Sequence, residues 1–142
     1  MEIERTGRTG RPFALVLFDL DGLKKINDQF GHQVGTRALC RAADMLRFHS
    51  RAIDTSARHG GDEFALVLPE TMDQGAQEVL SRICDRVTND GKQPTISQSA
   101  GFAICPRDGN TAETLMDAAD RALYRMKEQH KRNLSFVKQA AV

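Results

Sequence analysis

Two pairs of carboxylates, Asp19 with Asp21 and Asp62 with Glu63, stand at the ends of apolar runs of strand length. Acidic side chains at a strand end and at a neighbouring turn can hold hard divalent cations, which prefer oxygen ligands. Magnesium takes one or two protein carboxylates together with substrate phosphates and keeps water at its other sites. Two such ions about 4 Å apart activate an attacking hydroxyl and steady the leaving group in phosphoryl or nucleotidyl transfer. Asp19 and Asp62 are the expected metal ligands, with the Leu20 carbonyl a third candidate. Asp21 either supports them or forms a structural salt bridge, since residues two apart on a strand share a face. Lys24, one turn into the next helix, is either a phosphate ligand or a solvated lysine.

The second pair follows two glycines in Arg58-His59-Gly60-Gly61-Asp62-Glu63-Phe64, ahead of the apolar run to Leu68. Gly-Gly favours a two-residue hairpin because glycine accepts positive φ without steric cost. It also lets a phosphate approach the backbone closely. Taken alone, the stretch reads as a hairpin with a solvated acidic tip. The first acidic pair turns it into half of a site.

The elements that position these residues are legible as periodicities. Met1 to Arg11 is polar and reads as a frayed lead-in. Phe13 to Leu20 is a near-continuous apolar run, as a strand covered on both faces would be. Gly22 to Phe30 reads as a short helix and Thr36 to Ser50 as a longer one, with Leu39, Ala42, Ala43 and Leu46 on one face. Ala57 to Leu68 is the hairpin, ended by Pro69. Asp73 to Val87 has helical spacing at Ala76, Val79, Leu80, Ile83 and Val87, and Asn89-Asp90-Gly91 stops it. Thr95 to Ile104 reads as a strand in which Gly101 marks a close approach. A capping-box pattern from Asn110 to Glu113 opens a helix that buries Leu115, Ala118, Ala119, Ala122, Leu123 and Met126. Leu134 to Val137 is the expected last strand. The order β-α-α-β-β-α-β-α-β mixes hairpins with crossovers, which predicts an α+β fold with helices packed on a mixed, mainly antiparallel sheet.

At 142 residues the chain is one domain, and 40% hydrophobic with 27% charged residues is ordinary for a globular protein. A formal net charge of +1 gives no bulk attraction to nucleic acid or membrane. No apolar run is long enough to cross a bilayer, and no signal-peptide pattern is present. Cys40, Cys84 and Cys105 are widely spaced and read as buried free thiols in a reducing cytoplasm. The four histidines make no ligand spacing.

Three motifs in order carry a family resemblance. Asp19-Leu-Asp21 continues through Lys24, Asn27, Asp28, Gly31, His32 and Gly35; Gly60-Gly61-Asp62-Glu63-Phe64 follows; Ala119-Asp120 with Tyr124 and Lys127 closes the set. The sequence resembles the GGDEF diguanylate cyclase domain from about Arg11 to Val137. The resemblance implies a nucleotidyl-cyclase fold, related to polymerase palms and ferredoxin-like in plan. It implies two domains meeting head to head in a transient homodimer, each with GTP and Mg²⁺ (or Mn²⁺), two ions per active site, making cyclic di-GMP and pyrophosphate. By position it assigns metal to Asp19, Leu20 and Asp62, and the phosphates to Gly60, Gly61, Lys24 and Lys127. Asn27 would contact guanine, and Glu63 would lie beside the reacting ribose and metal. Lys131 falls at a phosphate-binding position, with Arg132 its rival because His130-Lys131-Arg132-Asn133 is irregular. Arg51-Ala-Ile-Asp54 matches the family's product-inhibition site, and Arg82 is the candidate second arginine. Arginine suits that role because its planar fork pairs with guanine edges or phosphate.

The sequence departs from the family at Thr36, where an aspartate usually accepts from guanine. A hydroxyl offers one uncharged oxygen. A hydrogen bond to a charged group is worth roughly 1.5–3 kcal/mol, so guanine selectivity should fall by about ten- to a hundredfold. The outcome is a cyclase with weaker GTP affinity, a promiscuous one making mixed cyclic GMP-AMP, or a poor catalyst retained for binding. Leu23 replaces a usual phenylalanine as a packing swap. The family's leading helix and its Asp-x-Leu-Thr-Gly-Leu turn are not recognisable here. Residues 1–11 are therefore expected as a flexible lead-in and 12–142 as the catalytic domain, part of a larger bacterial signalling protein with a sensor domain in cis. The segment itself is expected to be cytoplasmic, touching neither membrane nor nucleic acid polymer, though the full-length protein could be membrane-anchored. Two rivals stand beside this. Phe18-Asp19-Leu-Asp21-Gly22 also looks like the first motif of haloacid-dehalogenase-type phosphatases, but Leu23 does not fit. A non-catalytic GTP- or cyclic di-GMP-binding receptor would use Arg51 and Asp54, but would have no need of the metal carboxylates.

Overall fold

A computed structural model describes residues 2–51, 55–59 and 61–140, with side chains described for these except 55–59 and 134–140. The elements run α1 (Glu2–Thr9), β1 (Phe13–Leu20), α2 (Leu23–Phe30), α3 (His32–Phe48), β2 (Thr55–His59), β3 (Glu63–Pro69), α4 (Asp73–Thr88), β4 (Gln98–Cys105) and α5 (Ala112–Ala140). The strands form one sheet in the order β2-β3-β1-β4, and every pairing among the described residues is antiparallel.

All eight residues of β1 are buried, as a strand with neighbours on both sides and helices on both faces must be. One face of the sheet presents Val16, Phe18, Leu66 and Leu68 to Ala42 and Leu46 of α3 and to Ala76, Leu80 and Ile83 of α4. The other presents Leu15, Leu17 and Ala103 to Leu115, Ala119 and Leu123 of α5. A third cluster of Leu20, Ile26, Ala38, Val87 and Ile96 secures α2 and α3 beside the carboxyl end of β1. Arg41 on α3 adds a tie, donating from Nε and Nη2 to Asp90 at 2.9 and 2.8 Å and from Nη1 to the Pro94 carbonyl at 2.7 Å.

Gly101 sets how near α5 can come. A Cβ there would lie 2.1 Å from the Leu123 nitrogen and 2.7 Å from the Ala119 carbonyl oxygen, so only glycine admits the helix at this depth.

Four local expectations are corrected. Glu2–Thr9 is helical, with Thr6 buried, instead of an irregular lead-in. The cap of α5 is one residue later than expected: Thr111 Oγ1 accepts from the Thr114 amide at 3.1 Å, and Thr114 Oγ1 accepts from the Thr111 amide at 3.2 Å. Threonine pairs serve the reciprocal geometry that the Asn110–Glu113 spacing had indicated. Residues 134–137 continue α5 where a last strand was expected. The β-branched and aromatic content of that stretch is too slight to oppose extension of a helix already nucleated. Of the three free cysteines, Cys84 and Cys105 are buried but Cys40 is exposed. Burial pushes the Cys84 thiol up to about 12, which leaves it unreactive.

Candidate active site

The antiparallel register carries the two acidic pairs to one end of the sheet. Asp19 pairs across β1–β3 with Glu63 and across β1–β4 with Ser99, so these three residues share a face. Asp62, in the turn ahead of β3, accepts from the Leu20 amide through its backbone carbonyl at 3.3 Å. His59 pairs with Glu63, which leaves three residues between the strands where a two-residue hairpin was expected, and Gly61 is not at positive φ. The connection returns the chain at the level where β1 ends.

Asp19 is 4% exposed, and Lys127 Nζ on α5 donates to its Oδ2. Its Oδ1 is buried with no hydrogen-bond partner among the described residues. Burial raises the Asp19 carboxyl to about 6; Lys127 acts in the opposite direction, and the nearby Asp62 charge pushes it up again. Burial opposes the Lys127 charge, but the Asp19 hydrogen bond and the charges of Asp19, Asp62 and Asp21 outweigh it, so its pKa is raised. An orphaned buried acceptor beside a second carboxylate fits a hard divalent cation. Asp19 and Asp62 would hold it, with the Leu20 carbonyl available at the strand end. Among the described residues no group of three or more His, Cys, Asp and Glu makes a metal cluster, so substrate phosphates and water would complete the shell.

Asp21 takes the structural one of its two expected roles. Its carboxylate accepts from Ser97 Oγ and Ser99 Oγ, each at 2.8 Å, and lies 3.1 Å from His130 Nδ1. Sequence reading missed these three partners. Lys127 and His130 are three apart on one helix, and that spacing was the available signal.

The remaining candidates fall in three places. Lys24 is exposed at the second position of α2, with no ion pair among the described residues. Asn27 lies against Gly35, where a Cβ would come 1.7 Å from Asn27 Oδ1; the glycine leaves that amide its place. Thr36 is exposed on α3, and its hydroxyl donates to the His32 carbonyl at 2.9 Å. Lys131 is exposed and lies 3.7 Å from Glu128 on its own helix, and Arg132 is exposed too. Gly61 is exposed in the turn, while Gly60 lies outside the described residues.

Asp54 of the expected inhibitory motif also lies outside the described residues. Arg51 donates from Nη2 to the Pro69 carbonyl at 3.2 Å and to Thr71 Oγ1 at 3.1 Å. Partial burial, then the charges of Arg86 and Arg82, hold His49 below its usual pKa. A groove of about 460 Å³ opens elsewhere, lined by Phe102, Arg107, Arg121 and Arg125 among others, and no candidate site residue lines it.

An antiparallel sheet with helices on both faces and paired carboxylates at one strand end defines a palm-like nucleotidyl-cyclase fold. The chain belongs to the family described as "Diguanylate cyclase, GGDEF domain", which it matches over residues 1–133. It is 38% identical over 138 residues to the bifunctional diguanylate cyclase/cyclic di-GMP phosphodiesterase MucR of Pseudomonas aeruginosa, covering 94% of this chain and 20% of that protein. A sensory box/GGDEF family protein from Caulobacter crescentus superposes with a TM-score of 0.80 at 38% identity, over 89% of this chain and 85% of that one. The coiled coil and GGDEF domain of DgcB from the same organism, solved in complex with cyclic di-GMP, gives 0.80 at 26% identity over 90% and 71%. The chain thus spans about a fifth of the length of MucR. No helix among the described residues is long and apolar enough to cross a membrane.

Proposed function

We propose that this chain is a diguanylate cyclase domain that condenses two GTP into cyclic di-GMP across a transient homodimer. Each 3′-hydroxyl loses its proton to solvent and attacks the α-phosphorus of the opposite nucleotide; a P–O bond forms, the bond from that phosphorus to the oxygen bridging the β-phosphate breaks, and pyrophosphate leaves. The observation that carries this is the Asp19 carboxylate, 4% exposed, with an Oδ1 that has no partner among the described residues, Asp62 beside it and Lys127 against it. Such an arrangement has little value in a receptor, because a buried carboxylate short of donors is costly unless it serves a cation.

Mg²⁺ or Mn²⁺, two per site, would polarise the phosphate and lower the pKa of the attacking hydroxyl. Asp19, Asp62 and the Leu20 carbonyl would hold the metal. Lys127 and Lys24 pair with phosphate oxygens, Gly60 and Gly61 let the phosphates approach the turn, and Asn27 orients the guanine. Glu63, in register with Asp19, lies beside the ribose. Lys131, or its neighbour Arg132, supplies a further positive charge to the phosphates from the exposed end of α5.

Product inhibition is the second part of the proposal. DgcB was solved with cyclic di-GMP, and Arg51, Asp54 and Arg82 are the residues that would bind it here. A sensor domain in cis would supply regulation, consistent with the share of MucR that the chain spans. The domain works in the cytoplasm, where GTP is made.

Thr36 carries an alternative within the same chemistry. Its hydroxyl proton is committed to His32, and one uncharged oxygen holds guanine less selectively than a carboxylate. The test is mass spectrometry of products from GTP alone, ATP alone and a mixture, with Mg²⁺. Cyclic di-GMP alone makes Thr36 a tolerated change, and cyclic GMP-AMP from the mixture makes it a specificity switch. No product, with cyclic di-GMP binding that Arg51→Ala removes, makes the domain a receptor.

A further inference from the structure

His130 has no role assigned in the motifs above, yet its ring is built into the site. Nδ1 lies 3.1 Å from Asp21 Oδ2 and 3.0 Å from Ser99 Oγ. Ser97 donates to Oδ2 and Ser99 to Oδ1 of the same carboxylate, each at 2.8 Å. With the Ser99 proton given to Asp21, both oxygens facing Nδ1 are acceptors, so Nδ1 is the donor. The residue types are those of a Ser-His-Asp triad, but serine and carboxylate address the same ring nitrogen. The ring therefore cannot take the serine proton, and no nucleophile is generated.

The network instead joins three elements at one node. Asp21 closes β1, Ser97 and Ser99 open β4, and the Asp21 amide donates to the Ser97 carbonyl at 2.9 Å. His130 brings in α5. Leu123 is the last fully buried residue among the described side chains of that helix. Beyond it Met126 packs on the core and accepts from the Ala100 amide at 3.1 Å, and Lys127 and His130 bond the sheet end. Among the described side chains His130 is the last such tie on α5. Lys127 lies three residues earlier on the same helical face.

We infer that His130 is a positioning residue, whose bond to Asp21 fixes the rotation of α5 that presents Lys127 to the substrate phosphates. It rests on the reading of the chain as a GTP-binding cyclase. The group recognised is the triphosphate, and the base is read elsewhere, near Asn27.

The test measures binding of α,β-methylene GTP, which cannot release pyrophosphate, and of guanosine, which has no phosphates. His130→Ala should weaken the GTP analogue about tenfold, the worth of one lost charged hydrogen bond, and leave guanosine unchanged. His130→Asn, whose amide can donate where Nδ1 does, should restore most of the affinity. In a Lys127→Met background His130→Ala should add nothing, whereas a merely structural role would still lower binding. His130→Leu keeps the bulk without the donor and serves if the alanine variant does not fold. Unchanged analogue binding in His130→Ala, an equal fall for guanosine, or a full second loss on top of Lys127→Met overturns the inference alone. Wild-type protein that binds no analogue and makes no product overturns the cyclase reading as well.

Discussion

Gly101→Ala should damage both stability and turnover, because one methyl group would stand between the sheet and α5. The Cβ would come 2.1 Å from the Leu123 nitrogen, 2.6 Å from the Ala122 carbonyl carbon and 2.7 Å from the Ala119 carbonyl oxygen. All three are backbone atoms, so no side chain can swing aside. Restoring ordinary contact requires α5 to retreat by about 1.3 Å, an overpacking cost of about 3 kcal/mol. For a domain of this size that lowers Tm by about 10 °C. Lys127 and His130 lie beyond Leu123 on the same helix and would move with it. A misplacement of about 1 Å at a reacting centre can cost roughly a hundredfold in kcat. Urea denaturation and cyclic di-GMP formation, measured at a temperature where both proteins are folded, check the two effects. Gly7→Ala is the control, since a Cβ there meets nothing within 4 Å. A Gly101→Ala protein within about 0.5 kcal/mol of wild type, with normal turnover, would refute the argument.

Three further outcomes are expected. Gly35→Ala should displace only the Asn27 amide, because its Cβ would fall 1.7 Å from Oδ1 at the end of a flexible side chain. Tm should hold while KM for GTP rises about tenfold, the loss of one specific hydrogen bond. Thr36→Asp should raise the preference for GTP over ATP by about ten- to a hundredfold in competition assays. Asp19 gives a pH signature: its folded pKa of about 6 lies above the ordinary value of 3.8, so the metal-free fold binds the proton more tightly than the unfolded chain. That contribution is fully present below about pH 4 and is lost as pH rises through 6. Urea denaturation in chelator at pH 4.5 and 7.5 should show this fall, and Asp19→Asn should flatten it.

The fold was readable where periodicity and punctuation agreed. The eight-residue run at Phe13–Leu20, the helical spacing from Asp73 and the glycine at 101 each led to the observed element. The ends were harder. Residues 2–9 are a separate helix held by tertiary contacts, with Thr6 buried, Ile3 against the core and Arg5 on Glu70, where a loose lead-in was expected. Propagation of α5 takes in 134–137 where a strand was expected. The placement of Asp19 and Asp62 at one end of the sheet was legible because a strand end and a tight turn announce themselves locally. The Asp21 node was not, because Ser97, Ser99 and His130 lie 76, 78 and 109 residues away in sequence. Pairing of that range comes from strand register and helix packing; the Lys127–His130 spacing puts the two on one helical face but does not name Asp21 as the partner.

The central claim is that the Asp19–Asp62 end of the sheet condenses GTP across a dimer. Its most direct test is the initial rate of cyclic di-GMP formation from GTP and Mg²⁺ as a function of protein concentration, for wild type and Asp62→Ala. The expected result is a specific rate that rises with protein concentration in the wild type and is lost in the variant. A specific rate independent of concentration would contradict the dimer, and equal product from Asp62→Ala would contradict the site.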